Sequence, residues 1–169
     1  QSGKVLKGVG KYCTDFGEGT VSAAMFGTGR DGALNVTANP TIVNLYAPLY
    51  ANVSAGATSI GVGWNPGFQQ GDEILIHQTQ GTGAGTWEVN TITNQPATVL
   101  NLAKPLVNSY TQGGSSHAQI VRIPHYTGVT VLNGGVLTAP DWDGVTGGIL
   151  IFRSYGVTYI EYGGQINVT

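Results

Sequence analysis

Three histidines and two closely spaced aspartates are the residues of this sequence whose types could support metal chemistry. His77, His117 and His125 are scattered, with no HExxH motif and no i, i+4 pair, so a metal site would require them to converge in three dimensions. Asp141 and Asp143 in PDWDG resemble the start of an oxygen-rich calcium loop, but no further acidic ligands follow. We predict no bound metal, and the competing interpretation is a turn in which these side chains cap backbone amides.

The sequence also lacks the pattern of an acid-base pair, a catalytic serine or a phosphate loop. Asp72 and Glu73 are adjacent, so on a strand they point to opposite faces. The serines that precede His117 do not stand in a GxSxG motif. The glycine-rich stretches at 27–32 and 81–85 lack the strand-to-helix context of a phosphate-binding loop. We therefore predict a protein that is not an enzyme and holds no cofactor.

Four positions are candidates for covalent modification. Asn35, Asn52 and Asn167 each begin an N-glycosylation sequon, a short motif that also arises by chance. Cys13 is the single cysteine, which excludes a disulfide within the chain. It is either a small buried thiol or the site of a bond to another chain.

The aromatic residues are the remaining candidates for ligand contact. Trp64, Trp87, Trp142 and the tyrosines could supply stacking platforms for sugars. The alternative is packing in a core or an interface, because aromatic side chains carry much of the buried area in β-proteins.

The composition indicates the class of protein. Only 9% of the residues are charged, against roughly 25% in an average soluble protein. The chain has 27 glycines and a net charge of −2, which argues against binding to nucleic acid or insertion into a membrane. A surface solvated by Thr, Asn, Ser and Gln is common in secreted β-proteins, so we expect a secreted, extracellular location at a cell surface.

The elements that would position these residues are short strands. In GFQQGDEILIHQTQ a Gly-Asp turn precedes the apolar run Ile74–Ile76, the pattern of a buried strand. Similar strands and turns recur along the chain, which predicts an all-β fold without significant helix: an antiparallel β-sandwich or small, jelly-roll-like barrel. We expect an extended N-terminal arm over 1–30 and one β domain over 31–169, with barrel-like strands at 59–123 and glycine-rich strands at 124–169.

The last third contains a weak internal repetition. The segments GGVLTAP, GGILIFR and GGQINVT each open with Gly-Gly and continue into an apolar-rich strand. This pattern is typical of solenoid or sandwich strands, but its spacing is too irregular to assert a β-helix.

Several of these segments resemble a known kind of module. The runs DGALNVT, SAGATSIGV, GFQQGDEILIHQTQGTGAGTWE, AQIVRIPHYTGVTV, GGVLTAPDWDGVTGGILIFR and GGQINVT are similar to a module of secreted bacterial surface proteins and phage fibre-like proteins, often found ahead of glycine-rich repeats. The resemblance covers roughly residues 31–169. It implies an extracellular structural or adhesive role and carries over no catalytic residue.

Two functions follow as hypotheses. The first is a structural protomer that polymerises with copies of itself into a surface filament or pilus-like fibre. In it the N-terminal arm or the C-terminal strand would complete a neighbour's sheet, because open strand edges serve as connectors in a polymer. The alternative is a carbohydrate- or receptor-binding module of an adhesin or phage fibre, which would bind glycans or a host surface. That alternative predicts an exposed row of Trp or Tyr.

Overall fold

The computed structural model describes residues 26–168 of the chain. The arm predicted over 1–30 therefore lies outside the described residues up to position 25, and so does Cys13. The described residues contain no helix long and apolar enough to cross a membrane. Their regular structure consists of fourteen strands. In chain order these are β1 (Ala33–Val36), β2 (Thr41–Ile42), β3 (Tyr46–Pro48), β4 (Ser59–Gly61), β5 (Glu73–Gln80), β6 (Trp87–Asn94), β7 (Val99–Leu102), β8 (His117–Ile123), β9 (His125–Tyr126), β10 (Gly128–Val131), β11 (Val136–Thr138), β12 (Arg153–Ser154), β13 (Thr158–Ile160) and β14 (Gln165–Ile166).

The contacts divide the chain into two compact units. In the described residues, unit 1 comprises 26–41, His125–Leu137 and Phe152–Asn167. Unit 2 comprises Ile42–Pro124 and Thr138–Ile151, together with Val168. Each unit therefore draws on more than one stretch of the chain.

Unit 2 is built on a six-stranded antiparallel sheet of order β3-β8-β5-β6-β7-β4. The two end strands also bond to each other just beyond their ends. Tyr50 N donates to Gly61 O at 2.9 Å, and Gly63 N donates to Pro48 O at 2.9 Å. These bonds close the sheet into a small barrel, which leaves its end strands without free edges.

The barrel interior is filled by one apolar cluster. Its buried members are Ala47, Leu49, Ile60, Val62, Phe68, Ile74, Ile76, Ile92, Leu100, Leu102, Leu106, Tyr110, Ala118 and Ile120. Arg122 also points inward, because it alternates with two outward-facing residues of β8. Its Nε lies 2.9 Å from Oδ1 of buried Asp72, so the two charges compensate each other.

Strands β5 and β8 are apolar on their outer faces as well. Leu75, Val121 and Ile123 form a second buried cluster there, against which Tyr46, Val89, Ile149 and Ile151 pack. The last two belong to residues 139–151, which we call the strap. Tyr46 Oη donates to Ile149 O at 2.6 Å, and burial raises the pKa of this tyrosine to about 12, which keeps the hydroxyl a donor. The strap therefore covers the face of β5 and β8 that would otherwise be wet.

Unit 1 is a stack of three coils joined by parallel pairing. Coil 1 (26–41), coil 2 (His125–Leu137) and coil 3 (Phe152–Asn167) supply successive strands of one sheet, β1-β10-β13, and of a second, β2-β11-β14. A third pair joins β9 of coil 2 to β12 of coil 3. This is the architecture of a short β-solenoid, in which each coil contacts its neighbours in the stack.

Glycine pairs allow the coils to approach closely. Gly134 and Gly163 stand at equivalent turns and have φ values of +82° and +86°, which favour glycine. The second glycine of each pair lies against the previous coil: a Cβ on Gly164 would stand 2.6 Å from Val131 O, and one on Gly135 would collide with Val36 O. The repeated Gly-Gly in GGVLTAP and GGQINVT therefore marks a corner of the solenoid.

The predicted all-β fold with an antiparallel barrel is confirmed, but the pairing in the last third differs from the antiparallel prediction. The strands of unit 1 pair in parallel, and two of the three Gly-Gly segments are in register, with Val136 opposite Gln165. The third, GGILIFR, runs out of the strap instead. The irregular spacing of the three segments arises because the strap, which contains the Gly-Gly pair of GGILIFR, is inserted between coils 2 and 3.

Replacing Gly135 by alanine should destabilise the protein by about 1–3 kcal/mol, because the added methyl group meets a backbone oxygen that cannot move aside. Urea unfolding measures this change. Gly61→Ala is the matched control, since it is also a strand glycine but its nearest neighbour is the Tyr50 side chain at 3.4 Å. Equal stability of the two variants would contradict the role assigned to the glycine pairs.

Candidate functional site

An exposed tryptophan lies beside a histidine on the outside of the barrel. In the register of the sheet, His77 of β5 stands between Trp87 of β6 and Gln119 of β8. The Trp87 side chain is 60% exposed, although it is among the largest apolar groups of the chain. An exposed indole on a rigid strand is a surface that a ligand can cover.

A chain of polar contacts leads from this histidine to the strap. His77 Nδ1 lies 3.0 Å from Thr79 Oγ1, and Gln119 Nε2 donates to the same hydroxyl oxygen at 2.9 Å. Gln119 also binds the backbone of Gly147 twice, with its Nε2 donating to Gly147 O and its Oε1 accepting from Gly147 N, both at 3.0 Å. Because Gln119 is fully buried, these bonds fix the strap on the sheet.

The strap places a second indole near this row. The rings of His117 and Trp142 meet edge to face, with centroids 6.4 Å apart. His117 Nδ1 is buried and has no hydrogen-bond partner among the described residues. We call Trp87, His77, Thr79, Gln119, His117 and Trp142 the outer-face cluster. Two inter-strand spacings of about 4.8 Å separate β6, which carries Trp87, from β8, which carries His117.

A shallow cleft opens beside Trp142. It is lined by Ala139, Pro140, Asp141, Trp142, Gly148 and Val168. The Asp141 side chain is exposed, and its carboxylate makes no hydrogen bond to a described residue. The cleft therefore combines an aromatic wall with a free acceptor, two features that sugar-sized ligands use.

The neighbouring aspartate is occupied by the turn itself. Asp143 Oδ1 accepts from the backbone N–H groups of Val145 and Thr146, both at 2.7 Å. These bonds lower the pKa of Asp143, so its carboxylate is ionised. This is the capped turn that was the competing interpretation of PDWDG. In the part of the chain that the structure describes, no group of three or more potential metal ligands converges.

The electrostatics of His77 define one hydrogen-bond donor of the cluster. Burial lowers the pKa of His77 below its ordinary value of 6.5, so the ring is neutral at pH 7. Gln119 already donates to Thr79 Oγ1, which leaves the Thr79 hydroxyl proton free to bond His77 Nδ1. When the Thr79 hydroxyl donates to Nδ1, the proton of the neutral imidazole is on Nε2, where it can be offered to a ligand.

The other sequence candidates lie elsewhere. Asn35, Asn52 and Asn167 are all exposed, but Asn52 Oδ1 accepts from Gln112 N at 2.7 Å. Thr169, which completes the last sequon, is outside the described residues. Of the serines before His117, Ser116 accepts from Thr82 N through its Oγ at 3.1 Å.

Sequence reasoning missed Thr79 and Gln119, the two residues that connect the cluster. No sequence signal showed that Gln119, in a run of buried residues, faces outward under the strap.

The lowered pKa of His77 predicts a pH-dependent contribution to stability. The unfolded chain protonates this residue near pH 6.5, before the folded protein does, so the contribution falls as the pH drops below 6.5. Between pH 7.5 and pH 5 the wild type should therefore lose more free energy of unfolding than His77→Gln, which lacks the titrating group. Urea unfolding at both values checks this, and a difference independent of pH would contradict it.

No family model matches the sequence, and no curated protein does. Three solved structures of phage tailspikes show partial similarity. The tailspike gp49 of Pseudomonas phage LKA1 is 18% identical with a TM-score of 0.37, over 63% of this chain and 22% of the tailspike. The gp54 tailspike of Acinetobacter baumannii bacteriophage AP22, solved with a capsular saccharide, is 12% identical with a TM-score of 0.41, over 79% of this chain and 26% of the other.

The third structure, the tailspike gp61 of Pseudomonas phage phi297, is 15% identical with a TM-score of 0.40, over 72% of this chain and 21% of that one. The chain thus spans about a fifth to a quarter of the length of these proteins. At these identities and TM-scores they neither assign the chain to a family nor transfer a function to it.

Proposed function

We propose that the chain is a carbohydrate-binding module of an extracellular or virion-associated surface protein. The observation that carries this proposal is the outer-face cluster, where the exposed Trp87 indole lies beside the neutral His77. The composition, which is of the type common in secreted β-proteins, supports this location.

The chemistry of the cluster suits a sugar. An indole presents a flat apolar face that can cover the C–H face of a pyranose ring, while its rim remains wet. In the cluster, His77 can donate a hydrogen bond to a sugar hydroxyl through Nε2, and in the cleft beside Trp142 the Asp141 carboxylate can accept one. Both indoles are on elements fixed by hydrogen bonds, Trp87 on a ladder strand and Trp142 on the strap, so binding orders few new groups.

Replacing Trp87 by alanine should weaken saccharide binding by about 2 kcal/mol, or roughly 30-fold, because the platform for one sugar ring is removed. Trp64→Ala is the matched control: this indole is 46% exposed and belongs to unit 2, but not to the cluster. Isothermal titration with a saccharide found by glycan-array screening measures the affinities. Equal losses in the two variants, with both folded by circular dichroism, would contradict the assignment of the site.

A second function, assembly with copies of the same chain, is favoured by the end of the solenoid at coil 3. Ile160 stacks in register on buried Val131, and Ile166 on buried Leu137. Both isoleucines point into the solenoid, yet they are 45% and 39% exposed. In the described residues β13 and β14 each pair on one edge, so this end offers apolar side chains and open backbone to another strand. Donation of the N-terminal arm to this edge stays a prediction.

Replacing Ile160 by lysine should reduce self-association, because it introduces a charge into the uncovered apolar row. Light scattering on the full chain at increasing concentration measures the particle mass. The control Thr130→Lys also changes a strand of the same sheet, at a half-buried position of the middle coil. A monomeric wild type at all concentrations would rule out assembly and leave the binding function unaffected.

A further inference from the structure

The charges of unit 2 bear on which saccharides the cleft beside Trp142 accepts, an inference that rests on the proposed function. Unit 2 contains two basic residues, Lys104 and Arg122. Its acidic residues are Asp72, Glu73, Glu88, Asp141 and Asp143. A site for an anionic sugar needs a cation to compensate the ligand's carboxylate or sulfate.

Neither basic residue belongs to the lining of the cleft. Arg122 points into the barrel, where it pairs with Asp72 at 2.9 Å. Lys104 is held at the backbone by Asn90, whose Nδ2 donates to Lys104 O at 2.8 Å. Asn90 is three residues along β6 from Trp87, or about 10 Å. The neutral His77 adds no positive charge.

The acidic residues differ in whether their carboxylates already accept hydrogen bonds from the backbone. Glu88 accepts from Val107 N and Asn108 N, both at 3.0 Å, so it is occupied in holding a loop. Asp143 caps the turn of the strap but remains ionised and exposed. Asp141 lines the cleft beside Trp142. The cleft therefore has one carboxylate in its lining, that of Asp141, and a second ionised carboxylate follows two residues along the strap.

We propose that the cleft binds neutral or amino-substituted saccharides and discriminates against those that carry carboxylates or sulfates. The sugar ring stacks on Trp142, and its hydroxyl or ammonium groups donate to Asp141. An acidic sugar would bring a further negative charge next to Asp141, and no basic residue of the described part of unit 2 lines the cleft to compensate it, which is a repulsive element in the specificity.

The experiment is a glycan array with neutral, amino-substituted, and carboxylated or sulfated saccharides, probed with the full chain at low and high salt. The highest-affinity ligands should be neutral or amino sugars. For scaffolds present in both forms, the acidic form should bind at least about tenfold more weakly at low salt, with a smaller difference at high salt.

The variant Asp141→Asn keeps the shape of the side chain and removes its charge. It should reduce the discrimination against acidic saccharides several-fold. Glu161→Gln is the matched control, because it removes one carboxylate from coil 3 of unit 1 and should leave the discrimination unchanged.

The outcomes separate the two proposals. If the chain binds acidic saccharides best, or if Asp141→Asn leaves the discrimination unchanged, the charge selection is overturned while carbohydrate binding stands. If the wild type binds no saccharide of any class, the proposed function fails and the charge selection fails with it.

Discussion

The constraint on which much of unit 2 depends is that its central strands are apolar on both faces. Ile74 and Ile76 fill the barrel, whereas Leu75 points outward together with Val121 and Ile123. A small barrel alone would leave that second face in water. The strap covers it, and the bonds from Gln119 and Tyr46 hold the strap in place. Trp142 is positioned as a result, so the candidate site is a consequence of how the outside of the barrel is covered.

The sequence predicted the local elements well because their signals are local. The run Ile74–Ile76 after a Gly-Asp turn identified β5. The capped turn at Asp143 was recognised as one of two interpretations of PDWDG. Each of these depends on neighbouring residues, whose spacing is fixed by the geometry of a strand or a turn.

The pairing of the strands could not be predicted in the same way. GGVLTAP, GGILIFR and GGQINVT share one pattern, yet two are solenoid corners and the third leaves the strap. At the two corners the second glycine lies against a backbone oxygen from a distant part of the chain, Val36 O or Val131 O, whereas Gly147 of GGILIFR lies against the nearby Asp141 O. The candidate site has the same limit: His77 and Gln119 meet through sheet register, and nothing near either residue indicates the other.

The insertion of the barrel between coils 1 and 2 has a consequence for the order of folding. Coil 1 must find coil 2 across a long stretch of chain, as the bond from His125 N to Asp31 Oδ2 spans 94 residues. The entropy lost in closing so long a loop opposes that encounter. However, β3 and β8 are adjacent, with Tyr46 opposite Val121, so a barrel that has already formed holds the two ends of the insertion together. Early formation of the barrel would thus convert a distant encounter of the coils into a nearly local one, a sequence of events that pulse-labelled hydrogen exchange would resolve.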